Sequence, residues 1–126
     1  MTKQWDLRNR TMAFAVATFE FCRTLPRTSE ARDISRQLRR SATSVAANCR
    51  ALRRSQSDSA FASKAAVVIE EADESGFWLE FLVNVRLVAG QSVQALKTEA
   101  NELVAIFTAS RKIVRARIAR KKLKRS

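Results

Sequence analysis

The chain has no histidine and no tyrosine, and only two glycines, one proline and two cysteines among its 126 residues. Without histidine, the commonest general base and metal ligand is missing, and two cysteines alone do not complete a closed zinc site. Two glycines do not build a glycine-rich phosphate loop. We therefore expect no catalytic site, no metal and no cofactor. Scarce turn residues predict long helices joined by short links.

Long apolar runs are also missing, because uncharged stretches such as residues 11–19 are far too short to cross a bilayer. The N-terminal sequence MTKQWDLRNR has no uninterrupted apolar region behind its charges, unlike a signal peptide. Cys22 and Cys49 fall within apolar helical stretches, where core packing is favoured over a disulfide. These features predict a cytoplasmic protein with no membrane partner.

Apolar residues and positive charge are abundant. Hydrophobic residues make up 46% of the chain, and 24 Lys and Arg against 12 Asp and Glu give a net charge of +12. Self-repulsion of this size costs stability unless an anion offsets it, so a polyanion such as RNA or DNA is an expected partner. The alternative is a soluble protein with a basic tail.

Three breaks divide the chain into four predicted helices. Pro26 ends the first helix, the polar segment SQSDS at 55–59 ends the second, and Gly90 ends the third. Amphipathic helices with short links predict an all-α protein, an antiparallel up-down-up-down four-helix bundle. The bundle is expected to cover residues 1–115, with a basic, disordered tail at 116–126.

Helix 2 separates its apolar and basic residues sharply. At roughly 100° per residue, six apolar side chains share one narrow arc. They are Ile34, Leu38, Ala42, Val45, Cys49 and Leu52. The other side is a linear positive strip of seven arginines: Arg32, Arg36, Arg39, Arg40, Arg50, Arg53 and Arg54.

Helix 1 has two apolar faces, one more than a surface helix of a monomer uses. We expect the first to face the core and the second to lie nearly opposite. The first contains Met12, Ala15, Val16, Phe19 and Cys22. The second contains Leu7, Phe14, Phe21 and Leu25.

Helix 3 also has two apolar faces. Gly76, beside its core stripe, is expected to let a neighbouring helix approach closely. The core stripe contains Phe61, Ala65, Val68, Ala72, Ser75, Leu79 and Leu82. Exposed apolar faces usually mark interfaces, so we predict a homo-oligomer; the alternative is scattered surface hydrophobes. The predicted contact residues on helices 1 and 3 are Leu7, Phe14, Phe21, Val67, Glu70, Glu74, Phe77, Trp78, Phe81 and Val85.

The acidic cluster EEADE at 70–74 is the one remaining candidate for a metal or acid/base site. Glu70 and Glu74 are four residues apart and share a helical face, whereas Glu71 and Asp73 are expected to point elsewhere. No second carboxylate pair on another helix completes a cage, so ion pairing with arginines of helix 2, within or between subunits, is favoured.

Helix 4 combines an apolar stripe with rising positive charge. The stripe runs from Val93 to Val114, and its last turns lead into the sequence RKIVRARIARKKLKRS. The basic residues expected to contact nucleic acid here are Arg111, Lys112, Arg115, Arg117, Arg120, Lys121 and Lys122, followed by Lys124 and Arg125.

Three stretches point to a known family: QLRRSATSVAANCRA at 37–51, FASKAAVVIEEADESGFWLEFLV at 61–83 and ANELVAIFTAS at 100–110. The combined pattern LRR-x-A-x-S-V-x-x-N with a later EEADE-x-x-x-W-L-E is far more specific than an amphipathic helix. The sequence resembles the 23S rRNA intervening-sequence proteins, which are encoded within inserts of bacterial large-subunit rRNA genes and also elsewhere.

The resemblance implies a four-helix bundle that assembles into a toroidal homopentamer. It also implies kinship with the accessory proteins of diversity-generating retroelements, basic pentameric barrels that engage nucleic acid and a reverse transcriptase. The family pattern falls on Leu38, Arg39, Ser44, Asn48, Arg50, Glu71, Glu74 and Trp78. We expect Asn48, next to an apolar stripe, to be a buried hydrogen-bonding residue that fixes helix register and not a ligand site. Ala51 departs from the family, which usually has Glu there.

The leading functional hypothesis is a non-enzymatic oligomer that binds nucleic acid, RNA in preference, through phosphates and with low sequence specificity. The alternative is a structural or adaptor ring that binds another protein, with the helix 2 arginines paired to Glu70, Glu71 and Glu74 of neighbouring subunits. A membrane-surface role is weaker, because the tail lacks bulky apolar anchors.

Overall fold

The computed structural model describes the backbone of residues 3–126 and the side chains from residue 6 onward. This part of the chain forms four helices and no strand: α1 (Lys3–Cys22), α2 (Ser29–Leu52), α3 (Asp58–Asn84) and α4 (Gly90–Arg125). Each helix packs against the next in the chain, and α1 also contacts α4. The predicted all-α four-helix fold is confirmed.

Polar contacts between helices give their relative directions. Ser75 Oγ of α3 donates to Ser41 Oγ of α2 at 2.9 Å, and Lys64 Nζ donates to Asn48 Oδ1 at 3.3 Å. Residue numbers along α3 therefore fall as those along α2 rise, so these two helices run in opposite directions. Arg10 of α1 donates to Glu99 of α4 through both Nε and Nη2, each at 2.7 Å, which ties the first helix to the last.

Hydroxyl caps begin the two central helices. Thr28 Oγ1 accepts a hydrogen bond from the backbone N–H of Ala31, and Ser57 Oγ accepts one from Ala60. A cap of this kind satisfies one of the N–H groups that the first turn of a helix leaves without a partner. The polar links TLPRTSE and SQSDS therefore end one helix and also start the next.

The third helix ends earlier than the sequence predicts. The backbone N–H of Leu87 donates to Leu82 O at 3.0 Å, and that of Arg86 donates to Val83 O at 2.9 Å. These are the paired bonds of a Schellman motif, with Arg86 in the left-handed region at φ 64°. Gly90 is the first residue of α4 and does not end α3.

The fourth helix continues to Arg125, which corrects the expectation that residues 116–126 are disordered. Arg117 Nε and Lys121 Nζ lie 3.1 Å and 3.3 Å from Asp58 Oδ2, at the start of α3. Alanine, arginine, lysine and leucine also have high helix propensity. The rise in charge on this segment therefore does not end the helix.

The core follows the predicted faces of α2 and α3. All six apolar residues of the α2 arc are buried, as is the α3 stripe except Phe61, which packs partly exposed at its edge. Cys22 and Cys49 are buried free thiols, as predicted. Gly76 is not a point of forced close approach, because a Cβ built there would lie 3.9 Å from Ala100 Cβ, an ordinary contact.

The faces of α1 are partly reversed from the prediction. Phe14, expected on the outer face, is only 2% exposed, whereas Met12 and Val16, expected in the core, are each 50% exposed. Thr11 and Thr18 are fully buried on the same side as Phe14. Their hydroxyl groups tolerate burial because each donates a hydrogen bond to a backbone carbonyl one turn earlier in the same helix. The buried arc therefore centres on two threonines. Phe14 accordingly belongs to the subunit core, which removes it from the predicted interface.

Candidate nucleic-acid interface

The arginine strip of α2 is interrupted at its centre. The Arg39 guanidinium lies over the Phe19 ring at 5.1 Å from its centroid. Arg40 pairs with Glu71 at 3.4 Å and also with Glu74. These two arginines are engaged inside the subunit, so the free positive surface of α2 lies toward its two ends.

The other five arginines of the strip are exposed. Arg36 makes a loose contact of 3.6 Å with Asp33, between side chains that are both largely in water. Such a pair contributes little, about 0–1 kcal/mol. The remaining four make no ion pair with the described residues. They are Arg32, Arg50, Arg53 and Arg54.

The acidic cluster of α3 serves as the ion-pair partner of α2, as predicted. Glu71, rather than Glu70, lies with Glu74 on the side that meets Arg40. Glu70 is exposed. No group of three metal-binding side chains occurs among the residues that the structure describes. The arrangement is that of a salt-bridge network that links two helices.

One end of the bundle gathers basic residues from two separate segments. Asp58 begins α3 directly after the α2–α3 link and contacts Arg117 and Lys121 of α4. Arg53 and Arg117 line a polar groove of about 440 Å³ between that link and α4. The C-terminal turns of α2 and α4 therefore lie together. We call this surface the basic end: Arg50, Arg53, Arg54, Lys112, Arg115, Arg117, Arg120, Lys121, Lys122, Lys124 and Arg125.

The side chains of the basic end are mostly free. All eleven are exposed, and only Arg117 and Lys121 make ion pairs with the described residues. Arg111 lies at the border but has a structural contact, because its Nε donates to Ala62 O at 2.9 Å. The sequence shows both sets of cations, but nothing in it says that they meet. The short link 53–57 and the length of α4 bring them together.

The predicted interface residues of α3 form an aromatic patch at the opposite end of that helix. The Phe77 ring lies 4.9 Å from Trp78 and 5.8 Å from Phe81, centroid to centroid. Phe77 is 52% exposed, whereas Trp78, Phe81 and Val85 are half-buried against the core. The rest of the predicted set on α3 is exposed or half-buried: Val67, Glu70 and Glu74.

The predicted interface residues of α1 are less available. Leu7 and Phe21 are half-buried and pack against the two halves of the core. The outer apolar surface of α1 is instead formed by Met12 and Val16, which the sequence placed inside. With Phe19, they line a shallow groove of about 330 Å³ on the outside of the bundle.

The fold and these surfaces define a basic, all-helical four-helix-bundle protein. None of its described helices is long and apolar enough to span a membrane. The family model of the 23S rRNA-intervening sequence protein matches residues 3–109. The chain belongs to this family, which confirms the resemblance seen in its motifs.

A solved structure agrees with this assignment at the level of fold. A protein of unknown function from the S23 ribosomal protein family of Bacteroides thetaiotaomicron VPI-5482 superimposes with a TM-score of 0.81. The two sequences are 24% identical, and the alignment covers 88% of this chain and 99% of the other. No curated protein matches the sequence. At this identity the likeness establishes the helical bundle and not a shared activity.

Proposed function

We propose that this protein binds RNA through the basic end, by contacts with phosphates that carry little sequence specificity. The observation that supports this is the convergence of exposed cations from α2 and α4 on one surface. Between Lys112 and Arg125 the chain has eight basic residues and no acidic one. A dense basic surface of this kind attracts a polyanion and releases its counterions on binding.

The chemistry of the surface favours backbone contacts over base recognition. Arginine, with its planar fork of donors, matches phosphate geometry. The aromatic patch around Trp78 lies 20 residues along α3 from Asp58, about 30 Å from the basic end at the helical rise per residue. Base stacking at the basic end is therefore not expected.

Salt dependence tests the proposal directly. Affinity for a 5′-hydroxyl oligoribonucleotide, measured by fluorescence anisotropy, should fall about 300-fold or more between 50 and 200 mM salt if six to ten phosphates of the single strand are neutralised. The double substitution Arg53→Gln with Arg54→Gln should lower the log–log salt slope by about one to two. A flat salt response, or no binding at low salt, would refute the proposal.

A matched control separates local contacts from net charge. Arg36→Gln with Arg86→Gln removes the same charge toward the other end of the bundle, where both side chains are exposed. That end is several Debye lengths away, since the screening length is about 10 Å at 0.1 M salt. The control should change the salt slope much less than the pair at the basic end. Equal effects of the two pairs would mean that net charge alone drives binding.

We further propose that the protein assembles into a homo-oligomer through the aromatic patch of α3 and the exposed strip of Met12 and Val16. Exposed apolar side chains such as those on these two separate surfaces are typical of protein contacts. Phe77→Glu should reduce the solution mass measured by light scattering. Leu123→Glu, at an even more exposed apolar residue of the basic end, should leave the mass unchanged.

The adaptor alternative is tested by the same samples. In that interpretation the exposed arginines meet another protein, and the bundle has no affinity for RNA. Because Arg40 is already paired with Glu71 and Glu74 inside its own subunit, those carboxylates are less available for pairing between subunits. An intact oligomer without RNA binding at low salt would favour the adaptor.

A further inference from the structure

The corner between α1 and α2 has a second concentration of arginine, at the end of the bundle opposite the basic end. It surrounds an open surface cavity of about 520 Å³. No carboxylate from the described part of the chain lines this cavity. Its polar lining consists of Cys22, Arg23, Arg27, Arg32, Ser35 and Arg39.

Two buried donors at this cavity have no oxygen or nitrogen acceptor in the described part of the chain, and the group beside them is the Cys22 thiol. Ser35 is only 5% exposed, and its Oγ makes no hydrogen bond. The Nε of Arg39 is likewise buried without a partner. The Cys22 thiol lies beside both groups, but sulfur is a weak acceptor and burial raises the pKa of this thiol, which keeps it neutral. Buried donors are nearly always satisfied in folded proteins, so this pair indicates an acceptor supplied from outside the chain.

The geometry around these donors is fixed before any ligand binds. Leu25 anchors the corner, at 8% exposure, and its backbone N–H donates to Cys22 O at 3.2 Å. Phe19 holds the Arg39 guanidinium by a cation–π contact. Ala31 and Arg32, in the first turns of α2, line the cavity near the positive end of the helix dipole. Preorganised donors of this kind lose little entropy on binding.

We propose that this cavity binds a phosphate group. Ser35 and Arg39 would donate from the buried side, while Arg23, Arg27 and Arg32 would supply charge from the rim. Charge-assisted bonds from arginine to phosphate are short and strong, and the guanidinium fork can hold two oxygens at once. The phosphate could belong to a free or small phosphorylated compound or to the 5′ end of a nucleic-acid strand. The inference does not depend on RNA binding at the basic end.

Calorimetric titration distinguishes the two sources. Inorganic phosphate is titrated first, followed by two oligoribonucleotides of one sequence that differ only in a 5′-phosphate or a 5′-hydroxyl. Tighter binding of the 5′-phosphorylated strand, by about tenfold, identifies a strand end. Binding of inorganic phosphate with no difference between the strands identifies a small ligand. If inorganic phosphate gives no heat and the strands bind alike, the proposal is overturned.

Two variants tie the binding to the cavity. Ser35→Ala removes a buried hydroxyl that makes no bond, so the unliganded fold should be as stable as the wild type or more so. The same change should weaken phosphate binding, as should Arg32→Gln, each by about tenfold. Arg36→Gln is the matched control, because it removes the same charge from the same helix outside the cavity. Full affinity in Ser35→Ala and Arg32→Gln, or an equal loss in Arg36→Gln, would overturn the assignment.

Failure here is distinguishable from failure of the RNA proposal. The cavity is tested with inorganic phosphate and a 5′-phosphate, whereas the basic end is tested with a 5′-hydroxyl strand and its salt slope. Substitution of Ser35 changes no charge and lies at the other end of the molecule, so it should leave binding of the 5′-hydroxyl strand unaltered.

Discussion

Replacing Arg86 with glycine should stabilise the protein. Arg86 lies at the left-handed position of the motif that ends α3, with φ 64°. Glycine is the usual residue at this position because it has no Cβ to clash with the backbone. Arg86 is exposed and makes no ion pair with the described residues, so the substitution removes no such contact.

The size of the effect follows from two opposing terms. The left-handed conformation costs a non-glycine residue roughly 1–2 kcal/mol. The substitution also has a cost of about 0.5–1 kcal/mol, because glycine makes the unfolded state more flexible and more conformational entropy is lost on folding. The net gain is therefore about 0.5–1 kcal/mol. At about 2.1 cal/mol/K of unfolding entropy per residue, the melting temperature of a 126-residue chain should rise by about 2–4 °C.

The assay compares thermal unfolding of three proteins by circular dichroism at one subunit concentration, since assembly makes the midpoint depend on concentration. Arg86→Ala is the control, because it removes the same charge and long side chain but keeps a Cβ. We expect Arg86→Gly to melt above both the wild type and Arg86→Ala. If the glycine variant melts no higher than the alanine variant, the left-handed strain does not limit stability and the reasoning is wrong.

Three further outcomes follow from the core. Gly76→Ala should raise the free energy of unfolding, measured by urea denaturation, by about 0.5–1 kcal/mol, because the nearest atom to the added methyl, Ala100 Cβ, is 3.9 Å away. A loss of stability would contradict the packing described. Ser75→Ala should cost about 0.5–1.5 kcal/mol through loss of its buried bond to Ser41, and a neutral effect would argue against that bond. Burial raises the pKa of the Cys22 and Cys49 thiols above the usual 9.0, so the stability they contribute is complete below that pH and is lost above it. The wild type should therefore lose more stability than the double alanine variant between about pH 8 and pH 10, and equal losses would exclude the thiols as the cause.

The faces of α2 were predictable because its sequence is segregated. Six apolar residues fall in one arc and the arginines in another, so burial of the apolar arc is the one low-energy orientation. The same logic fails for α1, where apolar residues surround the whole helix. There the buried side contains Thr11 and Thr18, whose hydroxyls are satisfied by their own helix, and Met12 and Val16 are left outside. Periodicity alone does not rank two apolar faces.

The charge pattern of the sequence predicted that ion pairs form between α2 and α3, but not which residues form them. An ion pair between the 70–74 cluster and α2 was expected from composition, yet the choice of Glu71 over Glu70 depends on how α3 is rotated against α2. Likewise, the basic tail suggested disorder, although Asp58 at the start of α3 holds Arg117 and Lys121 and the helix continues past them. Local charge density does not reveal a partner more than 50 residues away in the chain.

Local propensity, periodicity and motif account for the four helices, the scarcity of turns, the buried arcs of α2 and α3 and the family membership. The buried side of α1 and the choice of engaged arginines depend instead on how the helices pack. Helix packing alone placed the cations of α2 beside those of α4, and grouped Ser35 and Arg39 around one cavity. Such groupings depend on helix rotation and packing between distant segments, which no local pattern encodes.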